Sequence, residues 1–140
     1  MTDPGLVLRK LAVLREYAER ARQRRPDDVS ALASDPMLED ALAMSLLVAI
    51  QQAVEICFHV VSDQGWGLPA SYSEGFTMLA EHGVIDAQLA QSLARMAALR
   101  NRLVHGYASV QPERVWEELP PGFDALERYV AAIARHLETD

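Results

Sequence analysis

Ala41-Leu42-Ala43-Met44-Ser45-Leu46-Leu47-Val48-Ala49-Ile50 is apolar on nearly every side of a helix, with Ser45 its one polar residue. A surface helix keeps an apolar stripe and a polar face, so a helix apolar all round is buried against several neighbours at once. The segment therefore reads as the central helix of a bundle. Ser34-Asp35-Pro36 supplies its start, a cap followed by a first-turn proline. It should stop before Asp63-Gln64-Gly65-Trp66-Gly67-Leu68-Pro69, where two glycines and a proline break the chain.

The neighbours of this helix can be read outward from it. Asp3-Pro4 opens a first helix in which Val7, Leu11, Leu14, Ala18 and Ala21 follow the spacing of one apolar stripe, running to about Arg24. Arg25 to Ser34 holds Pro26, Asp27, Asp28 and Ser30 and reads as a loop. Ser71 and Glu74 match a capping box for a short helix containing Phe76, Leu79 and Ala80, which Gly83 would terminate. Asp86 caps the next helix, where Leu89, Leu93, Met96, Arg100 and Leu103 keep the apolar periodicity and Gly106 suits the end. Pro112 opens a short segment with Val115 and Trp116, Pro120-Pro121 breaks the chain again, and a last helix carries Leu126, Val130, Ile133 and Leu137. Nothing reads as a strand. The expectation is an all-α, antiparallel helical bundle of about five helices, one domain over residues 1–140, with a homodimer formed through the apolar surface of the central helix.

Composition narrows the function. The chain has 140 residues, half of them hydrophobic, and a formal net charge of -7. Generic adhesion to nucleic acid draws on many neutralised phosphates, so any RNA contact must be local, and no helix is basic enough to read DNA. Lys10 is the sole lysine; Arg20, Arg22, Arg24 and Arg25 read as a solvated helix end whose charge complements the helix dipole. Cys57, the only cysteine, lies between Ile56 and Phe58 and reads as a small core residue. No stretch approaches the roughly 18 uninterrupted apolar residues of a membrane span, so the expected location is the cytoplasm. Ser45, Gln52, Glu55 and His59 share one face of the central helix and read as a solvent-facing edge, with a cleft lining or dimer seam as the alternative. A di-metal helical site needs Glu-x-x-His pairs, and Glu55 and His59 are one residue too far apart for one. No metal and no cofactor are expected.

The informative irregularity is Arg100, which occupies a slot that the periodicity assigns to the apolar face. An arginine there requires an anion, a carboxylate or water at its guanidinium, or a side chain that snorkels out near the helix end. His105 lies five residues on, about 140 degrees around an ideal helix. The two are therefore not stacked neighbours in one protomer. A twofold contact between two copies of this helix would collect two arginines and two histidines in a composite cleft. Those groups suffice for RNA cleavage, because histidine can accept the 2'-hydroxyl proton or protonate the leaving oxygen while arginine stabilises charge on the phosphate. Taken alone, His105 reads as an exposed capping residue, the commoner case for an isolated histidine in a helical protein.

The full string Arg100-Asn101-Arg102-Leu103-Val104-His105-Gly106-Tyr107 resembles the R-N-x3-H-x-Y signature of the HepT branch of HEPN proteins. The resemblance extends through the long first helix, the Gln51-Gln52-Ala53-Val54-Glu55 segment, Ser71-Tyr72-Ser73 and Val115-Trp116. Gln111 departs from it, standing where many members carry an acidic residue. The resemblance implies a dimeric ribonuclease toxin acting on tRNA or mRNA, with Arg100 and His105 as the cleaving pair and Asn101 and Arg102 as polar, phosphate-contacting neighbours. It further implies a partner antitoxin, a small MntA-like nucleotidyltransferase that transfers AMP from ATP to Tyr107. The competing expectation is a non-catalytic HEPN-like dimer that holds a nucleotide or a partner protein.

Overall fold

Local capping chemistry sets where the helices begin. The computed structural model describes residues 3–105 and 111–139. Within them run α1 (Pro4–Arg24), α2 (Val29–Ser34), α3 (Pro36–Asp63), α4 (Tyr72–Glu81), α5 (Ala87–His105) and α6 (Pro112–Thr139), with no strand among the described residues. Asp3 accepts from the Gly5 and Leu6 amides, and Asp35 from those of Met37 and Leu38. Ser71 Oγ accepts from the Glu74 amide at 3.0 Å, while Glu74 Oε2 accepts from the Ala70 amide at 2.9 Å. Asp86 Oδ1 accepts from the Leu89 amide at 2.7 Å. Each cap satisfies amide donors that a helix leaves open at its start. Gly83, at φ +76°, lets the chain leave α4 in a backbone conformation that disfavours side chains. Gly106, the expected end of α5, lies outside the described residues.

Helix α3 is the centre of the all-α bundle, packed by α1, α4 and α5. Ala49, Ile56, Cys57, Val60 and Val61 have no exposed surface. By length and composition α3 could cross a membrane, and over half of its most apolar stretch is buried within the bundle. Burial pushes the Cys57 thiol up to about 12, in keeping with a core residue. Tyr129 of α6 is fully buried, donates its hydroxyl to the Ala53 carbonyl at 2.9 Å and meets Phe76 edge-on, tying α6 to both α3 and α4. At Gly75 of α4 an added Cβ would fall 2.9 Å from Phe58 Cε1 and 3.0 Å from Cys57 Sγ. The missing side chain thus lets α4 approach α3 closely and brings Tyr72 against Phe58.

Two expectations about the connections are corrected. Residues 25–34 are not wholly a loop: Asp28 caps α2, which buries Leu32 against the neighbouring helices. Helices this short are marginal alone and form when packing favours them. The second correction concerns Pro120-Pro121, which do not end a segment but lie inside the continuous α6. Pro120 has no N–H for the Trp116 carbonyl, normally a loss of roughly 3 kcal/mol in a helix interior. Arg25 Nε donates to that carbonyl at 3.0 Å, and its guanidinium lies 4.0 Å from the Trp116 ring centroid. Trp116 Nε1 in turn donates to the Pro26 carbonyl at 2.7 Å. The substitution Arg25→Ala is therefore expected to destabilise the fold by roughly 1–3 kcal/mol through a lost carbonyl partner and a lost cation–π contact. Urea unfolding measures this, and an unchanged midpoint would remove Arg25 as the compensating group.

The solvated reading of the arginine group also fails in part. Arg24 Nη1 donates to Ser45 Oγ at 3.0 Å inside the bundle, while Arg22 stays exposed in the last turn and reaches the likewise exposed Glu127 at 3.6 Å. Ser45 consequently leaves the expected solvent edge: it is 3% exposed and also donates to the Ala41 carbonyl at 3.1 Å.

Candidate functional site

The site is built on the last turns of α5. Leu89, Leu93, Met96 and Leu103 are buried as their spacing requires, and Arg100 on the same stripe is half-buried. Arg100 Nη1 donates to Asn101 Oδ1 at 3.2 Å, and its guanidinium carbon lies 5.9 Å from the Tyr72 ring centroid. Among the described residues no carboxylate lies within ion-pair distance of Arg100. The guanidinium is thus held by an amide oxygen and an aromatic face, with donors left for an incoming anion.

Arg102 has a different environment. It points to α6, where Nη2 meets Glu118 Oε2 at 2.7 Å, and Glu118 also receives Arg114 Nε at 3.5 Å. Arg102 Nε is buried with no hydrogen-bond partner among the described residues. Two positions along a helix turn a side chain about 200 degrees, so Arg100 and Arg102 do not face one phosphate from the same protomer. Asn101, Val104 and His105 are exposed, Val104 by 45% despite being apolar. His105 is the final residue of α5, roughly 7.5 Å along the axis from Arg100 by ideal helix rise. The structure therefore brings Arg100 and Asn101 together, turns Arg102 into an ion pair, and leaves His105 open to solvent or to another chain. Tyr107 lies outside the described residues.

A family model described as Ribonuclease HepT-like matches residues 14–133. The chain belongs to the HepT-like ribonuclease family. This HepT-like chain is 26% identical to the mRNA nuclease HepT of Shewanella oneidensis, over 91% of its own length and 96% of that protein. It is 24% identical to the tRNA nuclease HepT of Aphanizomenon flos-aquae, over 98% of this chain and 93% of that one. Its fold superposes with a TM-score of 0.85 on a tri-AMPylated Shewanella oneidensis HEPN toxin solved in complex with MNT antitoxin. That match has 26% identity and covers 96% of this chain and 99% of the other.

The ring beside Arg100 also lines a cleft whose polar groups lie outside the basic string. Lys10, Gln51, Glu55, His59 and Tyr72 line an open cleft of about 440 Å³. Lys10 Nζ meets Glu55 Oε1 at 2.7 Å, and Gln51 Nε2 donates to Glu55 Oε2 at 3.0 Å. The Lys10 hydrogen bond, against some desolvation, holds the Glu55 carboxyl below its ordinary range. Polar residues interrupting an apolar helix were the available signal, and for Glu55 and His59 the cleft lining is what the fold contains.

Proposed function

We propose that this HepT-like protein is a metal-independent endoribonuclease toxin that cuts RNA at a site shared by two protomers. In this reading Arg100 binds the scissile phosphate and Asn101 orients its guanidinium. One His105 accepts the 2'-hydroxyl proton as that oxygen attacks the adjacent phosphorus. The phosphorus–5'-oxygen bond breaks, and the other protomer's His105 protonates the departing oxygen, leaving a 2',3'-cyclic phosphate and a 5'-hydroxyl. The observation that carries this is an arginine with no carboxylate partner among the described residues, about one and a half turns before an exposed histidine that ends the same helix. The exposed Val104 between Asn101 and His105 offers an apolar contact for a twofold-related copy. A cognate MntA-like nucleotidyltransferase silences the toxin: the Tyr107 oxygen attacks the α-phosphorus of ATP and pyrophosphate leaves. Both act in the cytoplasm, and the substrate is tRNA or mRNA.

Light scattering with a cleavage assay on total RNA tests the reading. A dimer that cuts RNA in the presence of EDTA, leaving cyclic phosphate ends, is expected. A monomer at micromolar concentration would refute the shared site, which needs two histidines for two proton transfers. A dimer that binds RNA without cutting it would make the protein a binding module.

A further inference from the structure

The cleft that shares Tyr72 with Arg100 donates no proton in the cleavage chemistry, and it holds an aromatic ring together with a hydrogen-bonded carboxylate. Its volume of about 440 Å³ falls in the range of ligand clefts, roughly 300–1,000 Å³. Tyr72 supplies a half-exposed aromatic plate, steadied by edge contact with Phe58 at 5.8 Å. The same ring lies beside the Arg100 guanidinium, so the plate and the phosphate-binding cation share one location. Glu55 lines the same cleft and is fixed in position by Lys10 and Gln51. A carboxylate has about four acceptor sites and an ammonium three donors, so both retain capacity after pairing with each other.

We propose that this cleft is a nucleobase subsite: the base adjoining the scissile phosphate stacks on Tyr72 while the phosphate lies on Arg100, and the Lys10–Glu55 pair reads the base edge. The assignment rests on the ribonuclease reading of Arg100 and His105. A net charge of -7 disfavours holding RNA by many phosphate contacts, and stacking supplies affinity that does not depend on charge. Stacking tolerates any base, because every base has a π face, whereas edge hydrogen bonds distinguish one base from another. The two parts of the cleft therefore have separable effects.

The test uses short RNAs carrying each of the four bases, or an abasic residue, next to the cut. Tyr72→Leu keeps an apolar side chain but loses the plate, and should raise KM about 5- to 150-fold for all four bases; because the same ring also meets Arg100, the comparison with abasic RNA, and not kcat, isolates the stacking. Tyr72→Phe should stay close to wild type, since the hydroxyl is not used. The abasic RNA should suffer the same loss with wild-type protein and no further loss with Tyr72→Leu, a comparison that excludes mere misfolding. Glu55→Gln should instead change the ratios among the four bases. Equal KM for wild type and Tyr72→Leu, or an abasic RNA cut as efficiently as its parent, overturns the subsite while leaving the ribonuclease reading intact. If wild type neither cuts nor binds any of these RNAs, both readings fall.

Discussion

Substituting His105 by alanine is expected to lower RNA cleavage by roughly 10²- to 10⁴-fold, the usual contribution of a positioned acid or base. Arg100→Ala should lower it by roughly 10²- to 10³-fold, as removal of a charge-stabilising donor does. Both variants should remain folded dimers. His105 is exposed and ends its helix, so truncating it removes no core packing. Arg100 gives up one long hydrogen bond to Asn101 and a contact with Tyr72, neither of which closes the core. In growing cells, expression of the wild type without its partner should slow growth and each variant should abolish the effect. Single-turnover cleavage with matched light scattering measures both properties. Native-rate cleavage by His105→Ala would sink the acid–base assignment, and loss of the dimer would show a structural rather than chemical role.

Tyr107→Phe is expected to cut RNA at the wild-type rate and to escape a cognate MntA-like nucleotidyltransferase altogether. The phenol has a pKa near 10 in model peptides, too high for a good general base at neutral pH, so cleavage does not need its oxygen. As an adenylate acceptor the same oxygen is indispensable. The transferred group brings negative phosphate and the bulk of adenosine to the segment that follows His105, competing with RNA for Arg100. Arg102 is a weaker competitor for either anion, because Glu118 already holds it at 2.7 Å. Intact mass after incubation with partner and ATP reads the outcome. Wild type should gain adenylate mass and lose activity, and Tyr107→Phe should do neither. Silencing of wild type without added mass would replace covalent transfer by simple binding of the antitoxin.

The fold was legible where a local rule and the tertiary structure agree. Caps at Asp3, Asp35, Ser71 and Asp86 and the turn at Gly83 depend on neighbouring backbone, so the order of residues suffices to place them. The all-round apolarity of Ala41 to Ile50 likewise required burial, because no other arrangement removes every side from water. The position of Arg100 on an apolar stripe followed from period alone. What it faces did not: the Tyr72 ring comes from another helix, brought in by the close approach that Gly75 allows.

Tertiary structure decided the remainder. A proline pair is a helix breaker by every local criterion, and α6 continues through Pro120 and Pro121 while Arg25, far away in sequence, serves the Trp116 carbonyl. Ser45 and Glu55 looked alike as polar interruptions of one helix, yet Arg24 meets the first inside the bundle and Lys10 meets the second at a cleft. Arg100 and Arg102 stand two residues apart in one basic string, and only the placement of Glu118 on α6 separates an arginine with donors to spare from one held in an ion pair. Caps and periodicity are short-range and written in order along the chain. Partners of buried carbonyls and charges are chosen by whichever distant group packing delivers within hydrogen-bond reach, and that is set by the assembled helices.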